Sequence, residues 1–242
     1  ALPVTRRVRI VAAGEWACAA ALTTFLVWIH VRNLLYAPEL WRDEITTLHV
    51  AGQPSLAKLW SLVEWESLPL LWLLVLRGWV ALGFGADAGS LRALAFVVGL
   101  GVIASLLFAL WRIARTLPPL ALLLVAANPT VIRFGDTLRA YGLGLVLSIL
   151  AVVVFWRLAQ RVDRVRIAAA ALVSILAVQC LYHDAVPVLA LSGACAAAWA
   201  IRRQLREAAV PLAIGAVTAL TLLPYSGALL RAREWNVVFR AP

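Results

Sequence analysis

Methionine is absent, and lysine occurs once, at Lys58, among 22 basic residues. The chain therefore starts at Ala1 without an initiator residue, which reads as processing or trimming of a longer chain. Charge is scarce as well. Only 14% of the 242 residues are charged and 64% are hydrophobic, whereas an ordinary soluble domain is about 25% charged and about 45 to 50% apolar. That shortage excludes a water-soluble globule, because a core of this size cannot hide the apolar surplus. The three cysteines, Cys18, Cys180 and Cys195, lie in apolar runs at no metal-ligand spacing. They exclude a disulfide scaffold and a zinc site, and read as small hydrophobes in packed helices. A glycine-rich phosphate loop is also missing, so ATP or a nucleotide-sugar donor is not expected.

What is present is a series of apolar runs at about 10–31, 69–85, 91–111, 117–134, 141–156, 167–182, 185–201 and 208–230. Each approaches the length of a membrane-spanning helix. The first is long enough to span and has no small-residue cleavage site after it, so it is not expected to be a removable signal peptide. The run at 69–85 is short and carries Arg77, Trp72 and Trp79, residues that favour an interface over the hydrocarbon centre. Basic clusters at Arg6, Arg7 and Arg9, at Arg112 and Arg115, at Arg157, Arg161, Arg164 and Arg166, and at Arg202, Arg203 and Arg206 fall on one side only if that run does not span. Because positive charge collects on the cytoplasmic side, we expect an all-α polytopic bundle in one membrane domain over 1–242. It would have about seven transmembrane helices, with interfacial helices in a long first outer loop at 32–90. The net charge of +10 then belongs to the cytoplasmic edge, which faces anionic headgroups, and does not imply nucleic-acid binding.

This arrangement sends most carboxylates outward. Glu64, Glu66, Asp87 and Glu234 read as the acids that a positive-inside bias leaves outside by default. Asp43 and Glu44 follow Pro38, where a helix is expected to begin at the membrane surface; neighbours on a helix point about 100° apart, so the two acids should not share one role. Leu56, Leu59, Trp60 and Val63 predict an amphipathic interfacial helix over 55–66. In the stretch from Asn128-Pro129 to Tyr141, Arg133, Asp136 and Arg139 recur at steps of three and would share one helical face toward a polar cavity. His183 and Asp184 lie at the outer end of a later span.

These pieces resemble the integral-membrane glycosyltransferases of the C-type fold, in the branch of protein O-mannosyltransferases and lipid A aminoarabinose transferases. The resemblance runs from the first span to roughly residue 200. It rests on Asp43-Glu44, Leu68-Pro69-Leu70, Leu91-Arg92 and the Asn128-Pro129 to Arg139-Ala140-Tyr141 stretch. Many relatives carry His-Pro-Pro where this chain has Ser67-Leu68-Pro69, so that histidine is lost, while acid, arginine and tyrosine stay in register. Relatives are longer, so this chain reads either as a fragment lacking a further C-terminal region or as a minimal enzyme. The resemblance implies a donor sugar on a polyprenyl phosphate, an acceptor hydroxyl on protein, glycan or lipid, and inversion at the anomeric carbon. It further implies a bacterial inner-membrane protein with its site facing the periplasm or exterior.

On that reading Asp43 is the base or orients the acceptor, and Glu44 positions the sugar. Arg139, with Arg92 or Arg133, neutralises the departing phosphate; Tyr141 bonds phosphate or sugar, and Asp136 holds Arg139 or a divalent ion. His183 joins the substrate-binding candidates. Asp43, Glu44 and Asp136 offer oxygen ligands to a magnesium- or manganese-like ion, but arginines supply the same electrostatics and no obligatory metal is expected. Two other classes remain open: a transporter or flippase of phosphorylated lipid, and a degenerate subunit that keeps the fold without catalysis.

Overall fold

The computed structural model describes residues 4–36, 39–63, 65–114, 127–228 and 230, with the side chains of 4–10, 12, 114 and 134 outside that description. Most of the expected 117–134 span, together with Glu64 and Glu234, lies outside the described residues. The described residues are helical and contain no strand.

The apolar runs become helices whose ends are set by local chemistry. Helix α1 covers Val4–Leu35. Helix α2, Arg42–Ala51, begins where the Glu44 carboxylate turns back to accept the Trp41 backbone N–H at 3.1 Å. Helices α3, Leu56–Val63, and α4, Leu70–Ala81, follow, the latter starting after Pro69. Helix α5 spans Ala88–Ala114. Helix α6, Pro129–Gly135, has proline at its first position and an Asn128 side chain that accepts the Thr130 N–H at 2.9 Å. Helix α7 covers Tyr141–Gln160, and α8, Arg164–Cys180, is capped by Asp163, which accepts the Arg166 N–H at 3.0 Å. A 3-10 turn at Tyr182–Asp184 leads into α9, Ala185–Ile201, and α10, Leu205–Leu220, precedes a second 3-10 turn at Leu223–Tyr225.

Five of these segments are long and apolar enough to cross a membrane: Ala13–Leu35, Ala88–Ile113, Tyr141–Gln160, Tyr182–Ile201 and Leu205–Ala228. Consecutive helices pack as neighbours, α7 on α8 and α9 on α10, while α5 lies against α7 and α1 against α5. Helix α4 has 12 residues. At 1.5 Å per residue it is about 18 Å long, well short of a hydrocarbon core of about 30 Å. It does not simply float on a surface, because Trp72, Leu73 and Leu76 are fully buried where α4 meets α2 and α8. Arg77 escapes that core by donating to the carbonyls of Ala51 and Gln53 at 3.3 and 2.5 Å, which ties α4 to the end of α2. The stripe expected on α3 is only half covered: Leu59 and Val63 are buried, whereas Leu56 and Trp60 stay exposed.

The largest core cluster joins Leu59, Leu68, Trp72, Leu91, Leu138 and Ala140 with side chains of α8 and α9. It gathers the beginnings of α5 and α7 and the ends of α2 and α8 at one end of the bundle.

Candidate functional site

Helix α2 lays its polar residues across that end, and helical geometry sorts them. Glu44 and Thr47, three apart, face inward and are 1% and 0% exposed; the Asp43 side chain, 100° away from Glu44, remains 41% exposed. Asp43 has the exposed Arg42 guanidinium 3.7 Å away.

The Glu44 carboxylate is filled. Its oxygens receive Arg92 Nη1 and Nη2 at 3.0 Å each, the Leu138 N–H at 2.8 Å and the Trp41 N–H. Arg92 Nη2 also donates to the Glu39 carbonyl at 3.2 Å. One buried carboxylate thus bolts α2 to the first turn of α5 and to the segment entering α7. Glu44 and Arg92, the residues expected to meet sugar and phosphate, hold each other here.

Arg139 sits beside this bolt and is 6% exposed. Its Nη1 donates to Thr47 Oγ1 at 2.6 Å and to the Asp43 carbonyl at 3.2 Å, and its Nη2 donates to Ser67 Oγ at 2.9 Å. The hydrogen bonds of this buried guanidinium thus go to two hydroxyls and a carbonyl, all neutral groups. The nearest carboxylate, Glu66, stands 3.9 Å from Nη1, beyond hydrogen-bond length. Glu66 is 8% exposed, and its Oε1 is buried without a hydrogen-bond partner among the described residues. Burial pushes the Glu66 carboxyl above the ordinary range; Arg139 opposes the rise, Asp43 adds to it, and bonds to Thr47 and the Ser67 backbone pull it down. Asp43, Glu66 and Arg139 therefore form one electrostatic unit, built from α2, the connection between α3 and α4, and the turn before α7.

The expected stripe of Arg133, Asp136 and Arg139 does not form. Helix α6 ends at Gly135 with Asp136 as its C-cap, and α7 starts only at Tyr141, so the three residues do not lie on one helix. Arg133 is exposed. Asp136 turns away from Arg139 to α1, where His30 Nδ1 lies 2.5 Å from one oxygen and Asn33 Nδ2 donates to the other at 2.8 Å. Gly99 on α5 leaves the room for this cluster: a Cβ there would lie 2.8 Å from His30 Nδ1 and collide with the Asp136 carboxylate. Tyr141, 37% exposed, opens α7 beside the site. His183 is exposed on its 3-10 turn, while its neighbour Asp184 is buried.

The three carboxylates considered as cation ligands are held separately, Glu44 by Arg92, Asp136 by His30 and Asn33, and Asp43 beside Arg42. Among the described residues no group of three or more His, Cys, Asp or Glu side chains is arranged to hold a metal ion.

Two participants do not stand out in the sequence. Glu66 reads there as one more outward acid, and its only signal is the Glu66-Ser67 step directly before Leu68-Pro69. His30 lies inside an apolar run, where an ionisable residue at membrane depth is itself a pointer to a polar partner.

No family profile, curated protein or solved structure matches the chain.

Proposed function

We propose that the protein is a C-type-fold glycosyltransferase that moves a sugar from a polyprenyl-phosphate donor to an acceptor hydroxyl at the outer face of a bacterial inner membrane. The observation that carries this reading is that a buried guanidinium, Arg139, donates to the backbone carbonyl of Asp43, a residue whose own carboxylate is half-exposed at one end of an apolar bundle. Asp43 accepts the proton of the acceptor hydroxyl as its oxygen attacks the anomeric carbon. The bond from that carbon to the phosphate oxygen breaks, and Arg139 receives the negative charge left on the phosphate. A single displacement of this kind inverts the anomeric centre. Tyr141 is the further side chain offered to phosphate or sugar, and Glu44 and Arg92 keep α2 at the height the reaction needs. No step requires a metal.

The same contacts support a seven-span topology. Glu44 touches both Arg92 at the start of α5 and Leu138 before the start of α7, so those starts lie at the same end. Helix α5 has 27 residues, about 40 Å of rise. A recrossing before residue 138 reconciles those two ends, and the apolar run at 117–134 is the stretch of sequence we assign to it. Helix α8 must likewise recross between α7 and α9, since short links join all three; its 17 residues rise about 26 Å. With the five long segments these make seven. The basic clusters at 157–166 and 202–206 then share the cytoplasmic side.

The test is transfer by purified protein, using a panel of polyprenyl-phosphate sugars and a crude envelope fraction as acceptor, with Asp43→Asn alongside. Transfer that disappears in the variant, with its thermal transition unchanged, supports the reading. Absence of transfer with every donor from folded protein favours the degenerate subunit.

A further inference from the structure

The Glu66 carboxyl is enclosed but incompletely bonded. Its Oε2 stands 3.9 Å from Arg139 Nη1, its Oε1 has no partner among the described residues, and the buried Tyr182 hydroxyl within its electrostatic reach has none either. An ion pair built for stability would close that gap and fill both oxygens, as Glu44 and Arg92 do at 3.0 Å. Arg139 instead spends its hydrogen bonds on Thr47, Ser67 and a backbone carbonyl.

We propose that Glu66 is an exchangeable counter-ion of Arg139, which takes up a proton when the phosphate of a ligand binds at Arg139 and releases it when the phosphate leaves. The inference rests on the donor reading above and adds a proton to its binding step.

The charges facing Glu66 make the argument. Arg139 approaches from the turn before α7, and Asp43 and Thr47 from α2. Ser67 adjoins it in the chain, and Tyr182 faces it from the 3-10 turn before α9, with the Tyr225 ring 5.6 Å beyond. Arg139 is the one cation in this set, and Asp43 and Glu66 already compete for its field. A phosphate bound there adds a third negative group, which an ionised Glu66 would repel. One proton on Glu66 removes the conflict and leaves its O–H able to donate to the ligand or to the Tyr182 oxygen. Burial already raises the Glu66 titration point in the free protein. Ligand binding raises it further, so uptake occurs between the free and bound titration points. Over that interval the affinity for a phosphodiester rises as pH falls, by up to about tenfold per pH unit for one linked proton.

The experiment is calorimetry of a short-chain prenyl phosphodiester binding to the whole protein between pH 5 and 9, in paired buffers of different ionisation heat. A phosphodiester carries one charge throughout that range, so the ligand does not titrate. The expected result is uptake approaching one proton per ligand within the interval, with Glu66→Gln binding the same ligand at an affinity independent of pH. Wild-type binding without proton uptake overturns the proposal but leaves the donor reading standing, and needs no variant to be decisive. Uptake that persists in folded Glu66→Gln also overturns it. Wild-type protein that binds no phosphodiester at any pH overturns both the donor reading and this one.

Discussion

Glu44 and Arg92 form a two-point ion pair in which both terminal guanidinium nitrogens, Nη1 and Nη2, lie 3.0 Å from a carboxylate oxygen, although 48 residues separate them in the chain. The adjacent Asp43 is left half-exposed. One turn of helix thus divides an acid pair into a fastener and a chemically accessible group.

Glu44→Gln should be destabilising throughout the molecule's end, because the Arg92 side chain, 12% exposed, loses its counter-charge. Breaking a buried pair costs about 3 to 5 kcal/mol. A thermal unfolding series in detergent measures it. A variant as stable as wild type that merely loses activity would show Glu44 to be a substrate contact.

Arg139→Lys keeps the charge but cannot reach Thr47, Ser67 and the Asp43 carbonyl with one planar fork. Donor affinity should fall at least about tenfold, roughly 1.4 kcal/mol. Direct donor binding is the measurement, and unchanged affinity would remove the phosphate-clamp role.

Gly99→Ala places a methyl group against Asp136 and 2.8 Å from His30 Nδ1. Overpacking of this sort costs about 1 to 3 kcal/mol. The thermal transition should drop, and His30→Ala should relieve part of the loss in the double variant. Additive effects of the two substitutions would mean that the clash is absorbed elsewhere.

The pH dependence of stability follows from Glu66. Its folded-state titration lies above the ordinary value of 4.5, so the folded state holds the proton more tightly than the unfolded chain does. Stability must therefore fall as pH rises from about 4.5 through the folded-state value. Glu66→Gln should remove that component, and its unfolding temperature should gain on wild type with increasing pH. Parallel pH profiles for the two proteins would contradict the raised titration point.

Topology is testable by cysteine accessibility in a Cys18→Ala background. Ala86→Cys and Gln204→Cys, both at exposed positions, should label from opposite sides of the membrane. Labelling from one side would refute the seven-span arrangement.

Helix positions are legible in the amino-acid sequence to within a few residues, since helix length and hydropathy are local properties. The runs at 91–111 and 185–201 correspond to α5, Ala88–Ala114, and α9, Ala185–Ile201. Asp43, Glu44, Arg92 and Arg139 stand out as charges in places where charge is costly. How they pair is not legible. The three-residue spacing of Arg133, Asp136 and Arg139 suggests one helical face, but α6 stops at Gly135 and the turn that follows sends the three side chains in separate directions. Glu66 does not stand out because its burial and its neighbours Arg139, Asp43 and Thr47 are brought to it only by folding.

The sequence by itself determined an all-helical chain with membrane-length apolar segments and a long polar connection, because periodicity, hydropathy and capping act over a few residues. Only the tertiary structure decided that Glu44 belongs to Arg92, Asp136 to His30, and Arg139 to a charged cluster shared with Asp43 and Glu66. The first two pairs lie 48 and 106 residues apart, and a charge selects its partner by the distance and dielectric that packing creates.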